Sequence, residues 1–195
     1  LNRRLIVPLV CLVLGVAMLA ATAFFTLRQP GPGAPAPSAI GGAFALIDED
    51  GKAITHRDMV GRPYLVFFGF THCPDICPTA AMDISQAFAA LGKDARINAL
   101  FITVDPERDT APILKDYLSS FDDRLIGVTG TRDAIDAAMK SFRVYARKVP
   151  GSDPDNYNVD HTALVYLMDK QGRFVSGFNL KRSPEEAARE LRRYL

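Results

Sequence analysis

Two apolar runs, Tyr64-Leu65-Val66-Phe67-Phe68 and Ile97 to Val104, constrain the fold of this chain more than any other feature. Neither alternates with polar residues as a half-solvated strand does, so each reads as a strand buried on both faces. Between them, Ala81, Ile84, Phe88 and Leu91 recur at helical spacing in a segment from Thr79 to Leu91, and Gly92 ends it. Strand, helix and strand in that order predict a βαβ unit, in which a helix covers a central sheet.

The flanking segments extend the pattern. Phe44 to Ile47 and Ala53 to Thr55 read as a hairpin around Asp48-Glu49-Asp50-Gly51. Asp109 or Thr110 is placed to cap a helix with Pro112 in its first turn, and Thr131 to cap another that ends near Phe142. A short strand at 125–128 lies between those helices, and Val144 to Val149 reads as extended. Thr162 to Met168 and Arg173 to Phe178 form a second hairpin, and Ser183-Pro184-Glu185-Glu186 opens a closing helix with a capping box. The whole is an α/β, thioredoxin-like plan with an N-terminal β-hairpin and insertions.

The front of the chain is different. No charge occurs from Leu5 to Leu27, and about 20 apolar residues suffice to cross a bilayer. Arg3 and Arg4 precede the run, which places a cytoplasmic tip at 1–4, a transmembrane anchor at 5–27 and the remainder outside the cytoplasm. Ala21-Thr22-Ala23 offers a cleavage site, the competing reading as a signal peptide. Either way the domain is exported, to a periplasm or an intermembrane space. Residues 28–43 carry Pro30, Pro32, Pro35 and Pro37 among Gly, Ala and Ser, a semi-rigid linker of about 40 Å if fully extended. The folded domain then spans 44–195. Charges nearly cancel to a formal +1 without a basic stripe, which argues against nucleic acid as a partner.

Cys73 and Cys77 stand in Gly69-Phe70-Thr71-His72-Cys73-Pro74-Asp75-Ile76-Cys77-Pro78, where the first buried strand runs into its helix. Open α/β sheets collect their sites at that edge. The helix N-terminus favours thiolate there. Three chemistries are open to such a pair: thiol–disulfide exchange, metal capture and peroxide reduction. Four-residue spacing separates the two residues by about 6 Å along a helix axis if both are helical, near the long end of the Cα separations that a disulfide spans. It suits a soft ion such as Cu(I), whereas structural zinc asks for four ligands. Of three histidines, His161 precedes the second hairpin on the loop expected to face the cysteines, as a third ligand or as a buried, hydrogen-bonded histidine. Asp160 beside it reads as its outer partner or as a turn residue. His72 points away from Cys73, His56 reads as solvated, and Cys11 lies in the apolar run.

Four segments together resemble the Sco/SenC family of copper-binding assembly proteins. They are Gly69 to Pro78, Asp105-Pro106-Glu107-Arg108-Asp109-Thr110, Tyr145 to Pro150, and Val159-Asp160-His161-Thr162. The resemblance covers 44–195. It implies one copper ion, as Cu(I) or Cu(II), held by Cys73, Cys77 and His161. It also implies a metallochaperone that helps to build the CuA centre of cytochrome c oxidase subunit II, or a thiol–disulfide oxidoreductase that reduces the CuA-site cysteines or acts in redox signalling. In the redox role Cys73 attacks and Cys77 resolves. The implied partners are subunit II, a copper donor chaperone and a thioredoxin-like reductant. Asp105 and Arg108 are candidates for docking a partner. A peroxidase would need further groups that polarise an O–O bond, and the sequence offers no clear set.

Overall fold

The computed structural model describes residues 3–28, 40–151 and 157–195. They fall into two units, residues 1–37 and 38–195. The first unit holds the helix α1 (Arg3–Arg28). Its described side chains, residues 12–24, are exposed and, Thr22 apart, apolar, Met18 and Leu19 foremost. Among the described residues no helix is long and apolar enough to cross a membrane. The linker expected at 28–43 lies mostly outside the described residues.

The second unit is built on a seven-stranded mixed sheet. In chain order its elements are β1 (Ala45–Asp48), β2 (Ala53–Thr55), β3 (Tyr64–Gly69), α2 (Ile76–Leu91), β4 (Asn98–Thr103), α3 (Ala111–Leu118), β5 (Leu125–Thr129), α4 (Arg132–Phe142), β6 (Ala146–Val149), β7 (Asn158–His161), β8 (Val165–Met168), β9 (Phe174–Phe178) and α5 (Pro184–Leu191). The sheet order is β2-β1-β5-β4-β3-β8-β9. Strands β3, β4 and β5 run parallel, joined by crossovers through α2 and α3. The two hairpins add antiparallel pairs at the edges. This is the thioredoxin-like α/β arrangement read from the sequence.

The apolar runs form the centre. Every residue of β3 is buried, and neighbouring side chains point to opposite faces. Phe68 meets Phe142 of α4 and Tyr166 of β8, with ring centroids 5.4 and 6.3 Å away. Phe67 meets Phe101, which in turn packs on Tyr117 of α3. A buried Phe of this kind stabilises the fold by roughly 1.5–3 kcal/mol. Helices α2 and α5 pack together, and the Arg192 guanidinium at the end of α5 donates to the Ala90 carbonyl. The Ser183–Glu186 capping box that starts α5 is present as read.

Two features differ from the sequence reading. Helix α2 begins at Ile76, three residues before the expected Thr79, and so takes Cys77 into its first turn. The segment before the second hairpin is also a strand: β7 pairs with β6 in a separate antiparallel ribbon, with Ala146 opposite His161. Asn158, Asp160 and His161 give this short strand too little apolar alternation to stand out in sequence.

Candidate metal centre

The carboxyl end of β3 carries the site. Gly69 closes the strand where a side chain could not fit: an added Cβ would lie 2.8 Å from Phe67 Cε1, 2.9 Å from Phe101 Cζ and 3.0 Å from Cys77 Sγ. The chain then turns through Phe70 to Cys73 and enters α2. Asp75 occupies the N-cap position but makes no side-chain capping bond. The Cys77 N–H instead donates to Cys73 Sγ at 3.4 Å. A sulfur thus stands where a capping oxygen commonly accepts.

Cys77 is wholly buried and Cys73 partly so, and both are free thiols. The expected preference for thiolate at the helix start fails for Cys77. Burial pushes its thiol far above the ordinary range, outweighing the backbone N–H of Phe70 that opposes the shift. A fixed partial charge at the helix end is too weak to offset the loss of water around the sulfur.

The ribbon supplies the third group. His161 lies at the end of β7, with Nε2 3.6 Å from Cys77 Sγ. Its Nδ1 is 3.2 Å from the Thr162 carbonyl oxygen, which can only accept, so Nδ1 carries the proton and the Nε2 lone pair faces the sulfurs. The edge-on rings of Phe67 and Phe70 fix the imidazole plane. Burial lowers the pKa of His161, against the Thr162 bond and the Asp160 charge, and keeps the ring neutral near pH 7. The outer partner is therefore a backbone carbonyl, and Asp160 is exposed.

The ligand atoms of Cys73, Cys77 and His161 all lie within 4.8 Å of one another. Bonds of about 2.0–2.3 Å, as thiolate and imidazole make to zinc, would bring all three to one ion with small adjustments. Two sulfurs and one imidazole, with no carboxylate, select a soft ion of low coordination number. A hollow of about 410 Å³ opens beside the group, between Cys73 and Ile76 on one side and Val149 and Asp160 on the other. The remaining histidines lie apart: His72 is exposed and bonds Thr71 Oγ1 at 3.0 Å, and His56 packs half-buried on Phe44. The side chain of Cys11 lies outside the described residues.

Sequence reading gives two carboxylates near this loop other roles than the structure does. Asp109, expected as a cap, is buried under the cysteine loop. Its carboxylate accepts from Thr71 N–H at 3.0 Å, Thr71 Oγ1 at 2.6 Å and Thr103 Oγ1 at 2.7 Å. Thr110 takes the N-cap position of α3 without a side-chain bond. The Asp105 side chain is also wholly buried, so it cannot dock a partner. Burial disfavours its charge, but hydrogen bonds from Tyr157 and Arg108 outweigh this and hold its carboxyl below the ordinary range. Spacing marks neither as buried: Asp105 lies two residues past β4, where a turn is expected, and Asp109 directly precedes the N-cap of α3.

The chain resembles known proteins in sequence and in fold. The family model described as SCO1/SenC matches residues 32–195. An SCO2-like protein of Rickettsia felis is 41% identical over 149 residues, covering 75% of this chain and 73% of that protein. The structure of Bradyrhizobium japonicum ScoI with copper bound is 58% identical, with a TM-score of 0.78, covering 80% of this chain and 99% of that one. Yeast Sco1 with copper bound is 34% identical, with a TM-score of 0.74, covering 80% of this chain and 88% of that one. Other curated relatives are longer: the chain spans 56% of one from Danio rerio and 51% of one from Arabidopsis thaliana.

Proposed function

The chain belongs to the SCO1/SenC family, and from that premise we propose that it is a copper metallochaperone. It takes one copper ion on Cys73, Cys77 and His161 and serves the assembly of the CuA centre in cytochrome c oxidase subunit II. The observation that carries this reading is the convergence of two sulfurs and a neutral imidazole within 4.8 Å. Copper-bound relatives on the same fold support it. Ile76 is 52% exposed, and Val149 and Leu164 are 37% exposed, an apolar rim near the cysteines of the kind a partner buries. A copper donor and a thioredoxin-like reductant complete the cycle, because Cu(I) requires reduced thiols. The uncharged run 5–27 and the helical α1 support a membrane anchor, with the copper domain on the periplasmic or intermembrane-space side. The deciding experiment is transfer. The full-length chain in detergent, loaded with Cu(I), is mixed with a metal-free subunit II fragment. Copper recovered on the fragment is the expected result, and copper retained entirely on the chain would remove the delivery role.

The contrast between a half-exposed Cys73 and a buried Cys77 supports a second use of the same pair. Cys73 thiolate attacks a disulfide in the target, forms a mixed disulfide and releases one target thiolate, which takes up a proton. Cys77, losing its proton, then attacks Cys73 Sγ and frees the second target thiol. Two electrons pass to the target and the chain leaves as a disulfide, which the external reductant restores. A Cys77→Ser chain that builds up no mixed disulfide with an oxidised subunit II peptide would exclude this order.

Copper binding depends on pH in a definite direction. Burial keeps Cys77 protonated at neutral pH, and the ion displaces that proton. Affinity therefore rises with pH, by about one unit in log K per pH unit for this proton. Competition against a chelator across about pH 6 to 8 measures it. An affinity that stays flat would mean that Cys77 is not a ligand.

A further inference from the structure

The ribbon that carries His161 lies outside the main sheet, and among the described residues β7 pairs only with β6. A lone two-stranded ribbon is marginal in water. Beyond Val159, which is buried in the core, something else must tie the ribbon to the rest of the domain. The loop after β4, at the same sheet edge, does so through Tyr157, the residue that leads into β7. Tyr157 donates its hydroxyl to Asp105 Oδ1 at 2.7 Å. Arg108 Nη1 donates to the Tyr157 carbonyl at 3.0 Å, and its Nε to Asp105 Oδ2 at 2.5 Å. The guanidinium lies 3.7 Å from the Tyr157 ring centroid and 5.9 Å from that of Phe70, which packs on His161. Lys148 of β6 covers the Tyr157 ring at 4.5 Å and pairs with Glu107 at 3.6 Å. Both strands of the ribbon are thus tied to one short segment, Asp105 to Arg108.

We propose that Asp105, Arg108 and Tyr157 are positioning residues of the copper site, a clamp that sets His161 against Cys73 and Cys77. The clamp rests on the copper reading above. Asp105 and Arg108 act through Tyr157 and Phe70, and none of the three touches the ion. Arg108 suits this role because a planar guanidinium can hydrogen-bond a carboxylate and a carbonyl while stacking on a ring, which lysine cannot do.

The test compares Tyr157→Phe, His161→Ala and the double variant in the full-length chain. Phenylalanine keeps the ring stack and removes only the hydroxyl. Cu(I) affinity is expected to fall roughly tenfold for Tyr157→Phe, the lower end for loss of a ligand's outer support. His161→Ala falls further, and the double variant binds no more weakly than His161→Ala alone, because the two losses are one interaction. In the metal-free chain, amide exchange at Asn158 to His161 rises in Tyr157→Phe while β3 is unchanged. Losses that add in the double variant, or unchanged exchange in β7, overturn the proposal. A His161→Ala chain that binds copper like its parent overturns the copper reading instead, and the exchange arm, which needs no metal, then decides the clamp.

Discussion

Replacing Cys77 by serine lowers Cu(I) affinity by more than ~100-fold, beyond the 10–100-fold that loss of a ligand's outer partner costs. The substitution exchanges a soft sulfur for a hydroxyl that stays protonated, and Cu(I) has little affinity for such an oxygen. It also leaves Cys73 and His161 as the only two ligands, on different elements. The fold barely registers the change. Residue 77 keeps its place in the first turn of α2, and the new hydroxyl has His161 Nε2 as a nearby acceptor. The cost in stability is then about 1 kcal/mol. Affinity is read by chelator competition and stability by urea unfolding. A variant that unfolds like the parent and holds Cu(I) within about threefold of it removes Cys77 from the ligand set.

Asp109→Ala has the largest effect on the fold. Its carboxylate takes three hydrogen bonds in a wholly buried position. Alanine leaves the Thr71 N–H and two threonine hydroxyls without that acceptor. Each orphaned buried donor costs about 1–3 kcal/mol, so a loss of roughly 3 kcal/mol is expected in urea unfolding. Copper affinity falls with it, because Thr71 lies two residues before Cys73 and loses what pins it. Asn recovers part of the loss, since an amide keeps one accepting oxygen but turns an NH2 toward donors. An Asp109→Ala chain as stable as the parent would show that Asp109 carries no weight beneath the loop.

The sequence makes the frame of this molecule legible because its signals are local. A strand such as Tyr64 to Gly69 announces itself by continuous apolarity, and α5 by Ser183, Pro184 and Glu186 at fixed offsets. Cys73 and Cys77 stand out by their spacing for the same reason, whereas His161 stays open between a third ligand and a buried, hydrogen-bonded histidine until the family resemblance singles it out. What escaped were facts of three-dimensional neighbourhood. Asp105 and Asp109 look like polar turn and cap residues, and only the fold shows that donors from Tyr157, Thr71 and Thr103 meet them in the interior. The protonation of Cys77 escaped likewise: the helix start is visible in sequence, but the rings of Phe67 and Phe101 that close around Gly69 and exclude water beside the sulfur are not.

The bond from the Cys77 N–H to Cys73 Sγ gives the protein a built-in spectroscopic reporter. That proton points at the sulfur whose state changes in every reaction considered for the pair. Loading with copper, bridging to a target and closure to a disulfide each alter the electron density it faces. One backbone resonance, in a chain labelled with nitrogen-15, therefore follows the history of the site without a probe attached to either cysteine.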